Sequence, residues 1–437
     1  MVAMIVPQLH AVYNSCLGVL AICRNGTVRA DGQTLAALSI GAKADPMNTT
    51  PPDRLLIPAL SACNFVIGVG AFGIIGLVEP LGADMSLSTV QTGQLLTVYA
   101  IAYAVLSPLL VAYSGQVGRR RIMTAGFALF AVAALVSALA PNIATLNAAR
   151  IVAAAGAGIF TPLSAAVAAN LTPENQRAKV LAAVFFGFTM SQVAGVPASS
   201  WIAYTFGWRW AFGMVFALTL PCIWLIWTRV PVGLRFQPVG MRDLRDVIGD
   251  GRLMLAIGFT ATFIGSQYVL FTYIAPLLSA TMGFGRDGIA LVLMISGFGA
   301  VAGNIMGGYL SDRLGWRITL TGLCIAQMCL MPAFSLLPVG QAMLFGLVFL
   351  WAMGSWSFMA AQQTRLINLA GHRAPVVLAL NAAAIYVGAA IGSGVGAAMI
   401  LGYGILSLGI GAGIGAAIAL AHLTLSARFT PLAPPPS

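Results

Sequence analysis

The sequence predicts an all-α integral membrane protein, twelve transmembrane helices in two pseudo-symmetric six-helix bundles, and three observations carry that expectation. Of its 437 residues, 59% are apolar and only 8% are Asp, Glu, Lys or Arg, against roughly 25% charged in a soluble domain. Apolar runs of about 20 residues recur along the chain, the length a helix needs to cross about 30 Å of hydrocarbon. The two halves of the chain also repeat one pattern. With 22 basic and 11 acidic side chains there is no charged coat for a soluble fold, and the mean hydropathy is +0.92. An outer-membrane barrel is excluded because the runs are continuous rather than alternating.

Residues 1–52 form an N-terminal extension. Its apolar stretch is broken by Pro7, Gln8, His10 and Asn14, too interrupted for a span or a signal peptide. It is expected to be disordered or to precede a start at Met47. The first half, 53–228, holds Leu55–Val78, Gly93–Tyr113, Ile122–Ala140, Ile143–Ala169, Val180–Tyr204 and Trp210–Trp227. A solvated linker, 229–252, follows, with an amphipathic stretch after Pro238. The second half, 253–426, holds Leu253–Ala275, Ile289–Leu310, Ile318–Leu337, Ala342–Ala361, Val376–Ile400 and Ile405–Leu425, and a Pro-rich tail, 427–437, closes the chain. In lipid every backbone group must bond within its own segment, so each run is a helix. With both termini in the cytoplasm, all of the 22 Lys and Arg except Arg150, Arg209 and Arg286 fall on the cytoplasmic side, which sets the orientation.

The duplication shows in the loops. Ser114-Gly115-Gln116-Val117-Gly118-Arg119-Arg120 follows the second run and Ser311-Asp312-Arg313-Leu314-Gly315-Trp316-Arg317 the eighth. Gly118 and Gly315 are 197 residues apart, and the half-starts Leu55 and Leu253 are 198 apart. Such internal repeats mark many transporter folds. Polar side chains inside the runs are few and belong on the bundle interior. Gln192, Gln267, Tyr273, Asn304, Trp351, Trp356, Asn381 and Tyr386 are therefore the candidates for a substrate cavity. Tyr99 and Tyr103, four residues apart, suit packing as well as lining.

Other chemistry finds little support. The net charge of +11 comes mostly from Arg scattered between apolar runs, which fits membrane anchoring and not nucleic acid. Six cysteines without a C-x-x-C pair give no metal or disulfide framework, and no cofactor is expected. Three His and no acid inside the runs argue against a membrane enzyme. A sensor or scaffold would be expected to carry a folded soluble domain, and no loop is long enough for one.

Gly308-Tyr309-Leu310-Ser311-Asp312-Arg313-Leu314-Gly315-Trp316-Arg317 resembles the G-x-L-a-D-R-x-G-R loop motif of the major facilitator superfamily. Arg150 with Gly156 and Gly158 is similar to its span-4 signature, and Gly195-Val196-Pro197 to its antiporter motif. Gly207–Phe212, Phe271–Pro276 and Asn381 with Gly388, Gly392 and Gly396 resemble the sugar-efflux (arabinose efflux permease) branch of twelve-span drug:proton antiporters. The resemblance, over about residues 55–426, implies a monomeric carrier that exports a sugar or small amphipathic compound by proton antiport. Uptake or uniport by the same fold is the alternative. It implies a conformational latch from Gly308, Asp312, Arg313, Gly315 and Arg317 with Gly118, Arg119 and Arg120, and a hinge at Gly195 and Pro197. The chain departs from the pattern at Gly115, Ala71 and Ala157, where relatives place Asp, an acid and His. These gaps bear on proton coupling. With spans 1 and 4 side by side, as the resemblance implies, Glu79 beyond span 1 is expected to reach toward Arg150, some 10 Å deep in span 4. The alternative is that Arg150 bonds backbone carbonyls.

Overall fold

The computed structural model describes residues 54–114, 117–173, 176–234 and 241–429. The expected N-terminal extension, residues 430–437 of the tail and Gly115 of the first loop motif lie outside the described residues.

Among the described residues every regular element is helical. Span 1 is Leu56–Phe72, continued by a 3-10 turn, Gly73–Gly76, and followed by a short helix, Val78–Met85. Spans 2, 3 and 4 are Thr89–Tyr113, Arg119–Ala138 and Ile143–Asn170. Span 5 runs as Arg177–Met190 and Val196–Phe206 around a π-helical turn, Ser191–Gly195, and span 6 is Trp208–Arg229. Span 7 is Gly251–Phe271, extended by Ile274–Met282 after a break at Thr272 and Tyr273. Spans 10, 11 and 12 are Gln341–Ala370, Ala374–Tyr403 and Ser407–Ala427.

Among the described residues eleven segments, not twelve, are long and apolar enough to cross a membrane. Spans 8 and 9 share one helical run, Arg286–Leu336, 51 residues long. Straight, it would measure roughly 75 Å, far more than one crossing. It turns at Gly315, where φ is 75° and ψ 161°, a conformation that only glycine adopts without strain. The crossings therefore number twelve, and the loop expected between spans 8 and 9 is a single residue's turn.

Local chemistry sets several helix starts. Ser88 accepts from the Gln91 N–H at 3.3 Å while its own N–H donates to Gln91 Oε1 at 2.9 Å, a capping box that opens span 2. Asp250 Oδ1 accepts from the N–H groups of Arg252 and Leu253 at 3.1 and 3.3 Å, and Oδ2 accepts from Arg373 at 3.1 Å. Desolvation alone would raise the Asp250 carboxyl, but these bonds outweigh it and hold the group below the usual carboxylate range. Its stabilisation is thus complete above the unfolded pKa of about 3.9 and is lost as pH falls through the lower folded value. Asp250→Ala should lower the melting temperature at pH 7 by the equivalent of ~1 kcal/mol. That difference from the parent chain should close as pH falls through the lowered folded value. Equal melting curves at pH 7 would show that the cap contributes nothing.

The linker is not fully solvated, as the sequence suggests. Helix Met241–Ile248 buries Leu244 and Val247 against Leu253, Ile257 and Leu366 of the second half. At its other end the linker joins the first half, where the Leu234 carbonyl accepts from the Arg119 N–H at 3.1 Å.

Burial along spans 1 and 7 shows how the halves meet. Residues 66–78 and 263–278 are buried on every face. Earlier in each helix, Ile57, Pro58, Ser61, Ala62 and Phe65, and Met254, Leu255 and Gly258, are partly open. The bundle is shut at the end that carries Glu79 and open at the arginine-rich end. An apolar cavity of about 640 Å³ lies in that open half, between span 1 (Ile57, Ser61, Phe65) and span 5 (Ala182, Phe186, Met190).

Candidate functional site

At mid-depth the two halves meet through aromatic rings. Tyr103 of span 2 stacks on Tyr386 of span 11 with centroids 3.8 Å apart. Tyr99 lies 6.1 Å from Tyr386, and Phe72 of span 1 lies 6.5 Å from Tyr386, 6.3 Å from Tyr268 and 5.5 Å from Phe188. Phe65, which lines the open cavity, is two helical turns before Phe72, on the same face. Of these rings only Tyr386 is among the eight cavity candidates. Phe72, Tyr268 and Phe188 are missed by a search for polar side chains, although the Tyr99–Tyr103 spacing is a visible hint.

Arg150 borders the cluster. Its guanidinium donates to the carbonyls of Gly70 at 2.5 Å and Ala71 at 2.9 Å and lies 4.4 Å over the Tyr99 ring. Those carbonyls end the α-helical part of span 1, where the chain tightens into the 3-10 turn. The last carbonyls of a helix lack helical partners and carry its negative end, so Arg150 caps span 1 from span 4. The expected approach of Glu79 to Arg150 is corrected. Glu79 accepts from Tyr204 of span 5 at 2.7 Å and from Ser279 of the second half at 2.7 Å. The depth of each residue was legible, but its direction around the helix was not.

The remaining cavity candidates divide into two groups. Tyr273, Gln192 and Asn304 lie along the seam between the halves. Tyr273 packs on Gly93 of span 2, Gln192 backbone meets Gly297 of span 8, and Asn304 donates to Thr189 at 3.4 Å. Gln267, Trp351 and Asn381 bond inside the second half. Gln267 Oε1 accepts from Trp351 Nε1 at 2.9 Å and from Ser355 at 2.5 Å, and Asn381 accepts from Thr260 at 2.6 Å. Trp356 is half-buried on span 10.

The seam at the Glu79 end is closed by a further contact, the Ser393 hydroxyl on the Gly93 carbonyl at 3.4 Å, and by Arg286 on Thr205 at 3.4 Å. Beside it Asp84 accepts from Trp208 Nε1 at 2.9 Å and Arg209 at 2.7 Å. Both bonds, the indole one first, hold its carboxyl below the usual range.

The latch residues are apart. Ion pairs among the described residues join Arg209 to Asp84, Arg286 to Asp287 and Arg373 to Asp250; Asp312 is in none of them. It is exposed, as is Arg317, and Arg313 stacks on Tyr309 at 4.7 Å. Gly315 supplies the turn, and Gly308 lies one helical turn before Asp312 with no neighbour close to its Cα. In the first loop Gly118 precedes span 3, Arg119 is buried with Nη1 on Ser114, and Arg120 stacks on Trp227 at 4.4 Å. The hinge expectation falls on the π-turn of span 5. Pro197 has no N–H for the Val193 carbonyl, and the turn ending at Gly195 takes up the mismatch. Adding a Cβ at Gly195 would strike Val69 of span 1.

Comparison with known proteins agrees with this architecture. The family model described as Major Facilitator Superfamily matches residues 60–393. An uncharacterized MFS-type transporter of Bacillus subtilis, YtbD, is 30% identical over 367 residues, 82% of this chain and 92% of the relative. The inner membrane transport protein YdhP of Escherichia coli K12 is 28% identical over 349 residues, 79% of this chain and 89% of the relative. A bacterial homolog of the human lysosomal transporter Spinster, in an inward-facing and occupied conformation, superposes with TM-score 0.69 at 17% identity over 87% of this chain and 98% of that one. The D-xylose-proton symporter does so with TM-score 0.67 at 20% identity over 84% of this chain and 96% of that one. Two six-helix halves closed over one end, a single-glycine turn in the repeated loop, and a family match over most of the spans lead to one conclusion: this chain belongs to the Major Facilitator Superfamily.

Proposed function

We propose that the protein exports a small amphipathic compound across the inner membrane by alternating access, in exchange for protons. The carrying observation is the matched burial of spans 1 and 7, closed beyond Val66 and Phe263 and open before them. The arginine-rich open end faces the cytoplasm by the positive-inside rule, which makes this the inward-open form. A centre built of aromatic rings suits an amphipathic cargo better than a sugar, because Gln267, Trp351 and Asn381 already make hydrogen bonds between helices of the second half.

Glu79 supports the coupling. Among the described residues it is a carboxylate that bonds across the halves, through Ser279, as Asp287 does from the other half through Trp201. Tyr204 is the titratable group in contact with it; Asp84 with Arg209, and Asp287 with Arg286, are the charged pairs of the same end. When the outer seam opens, Glu79 loses its bond from Ser279 and meets the outer solution, so its carboxylate is rehydrated in one form and held across the seam in the other. Glu79→Gln should abolish flux driven by a pH gradient in liposomes while exchange at equal pH persists. Gradient-driven flux that survives in this variant would make the chain a facilitator.

A further inference from the structure

Arg150 is 2% exposed and Tyr99 fully buried. Two of their polar atoms, Arg150 Nε and the Tyr99 hydroxyl oxygen, have no hydrogen-bond partner. The guanidinium leans on the Tyr99 ring and on two carbonyls, which carry only partial negative charge. No ion pair reaches it among the described residues, where Asp84, Asp250 and Asp287 take Arg209, Arg373 and Arg286. Deep in a membrane protein, an uncompensated cation is costly and is a functional-site candidate by default.

The rings beside it supply the rest of the shape. Tyr103 and Tyr386 belong to opposite halves and stack at 3.8 Å with planes 26° apart. They must separate as the halves move, because each travels with its own bundle. A flat ring entering between them would replace one stacked contact by two. The same occupant's charged end would lie where Tyr99 and Arg150 offer a hydroxyl and an N–H. The rim of the cavity, from Phe65 to Phe186, is apolar and passes an aromatic body.

We propose that the central site takes a small planar organic anion, its ring between Tyr103 and Tyr386 and its anionic group on Tyr99 and Arg150. This names the substrate class of the carrier proposed above and rests on that reading for transport, though not for binding. A carboxylate on Arg150 makes a charge-assisted hydrogen bond and removes the uncompensated charge at once. A neutral ring of equal size gains the stacking alone. A cationic one meets repulsion.

Equilibrium dialysis of the full chain in lipid nanodiscs against benzoate, benzamide and benzyltrimethylammonium tests this. Benzoate is expected to bind at least tenfold tighter than benzamide, a difference of about 1.4 kcal/mol, and the cation weakest. Arg150→Gln should bring benzoate and benzamide to parity, and Arg150→Lys should keep the preference. Equal binding of benzoate and benzamide by the parent chain, a preference for the cation, or no saturable benzoate binding overturns the proposal. Hydrogen exchange of residues 78–85 and 274–282, measured across pH on the same samples, separates the two readings. If that seam responds to pH while benzoate has no preference, the anion site is overturned and alternating access stands. If benzoate is preferred and the seam never responds, the site stands and the transport reading falls.

Discussion

Gly93→Val is expected to hold the seam at the Glu79 end open and to slow transport at least tenfold, while the protein still inserts and folds. A Cβ at Gly93 would fall 2.6 Å from the Tyr273 hydroxyl oxygen and 2.7 Å from Cζ. The ring cannot swing away cheaply. Tyr273 is buried, and its hydroxyl donates to the Ser393 carbonyl at 3.1 Å. Overpacking costs about 1–3 kcal/mol, and here it is charged only to the form in which spans 2 and 7 touch. A two-state equilibrium shifts about tenfold for every 1.4 kcal/mol of such a difference. Residues 78–85 and 274–282 should lose hydrogen-exchange protection in Gly93→Val, and adding Tyr273→Ala should restore it. Unchanged transport with unchanged protection would show that the seam tolerates the methyl groups.

Gly303→Leu should be worse, leaving no folded second half. Spans 8 and 10 touch through their backbones there. A Cβ on Gly303 would come within 3.0 Å of the Met353 carbonyl carbon, and one on Gly307 within 2.7 Å of that of Ser357. Ser357 also donates to the Gly303 carbonyl at 2.9 Å. Backbone cannot rotate out of the way as a side chain can, so the whole span must retreat. The cost should exceed the ~3 kcal/mol upper range of ordinary overpacking. A monodisperse peak on size exclusion should be lost, whereas Gly346→Leu on the outer face of span 10, with nothing within 4 Å, should elute as the parent does. A folded Gly303→Leu protein would mean that the two spans can part without unravelling the half.

Span positions were legible because hydrocarbon thickness fixes length and composition together, and the repeat of the Gly118 and Gly315 loops placed the halves. The site was less so. An apolar periodicity does not tell which way a polar side chain points when the helix is covered on most sides. Gln267 and Trp351 read as cavity residues, yet they bond each other. Glu79 and Arg150 read as neighbours, yet one reaches Ser279 and the other Gly70. The central rings were hidden for the opposite reason, since Phe72 and Tyr268 look like ordinary packing in a sequence so rich in apolar residues. The join of spans 8 and 9 needed a backbone angle, φ 75° at Gly315, that composition does not encode.

The linker sets a mechanical limit on the cycle. Leu234 is pinned to span 3 and helix Met241–Ile248 to the second half, so the chain between them is a leash seven residues from end to end. Fully stretched it spans roughly 24 Å. However far the halves swing, the arginine-rich mouth cannot gape beyond that at this edge. The contour length of the leash is an upper limit, and it bears only on the widest form. It follows that lengthening it leaves the closed end untouched and widens the mouth. Shortening it takes away the most open form first, and with it the largest cargo.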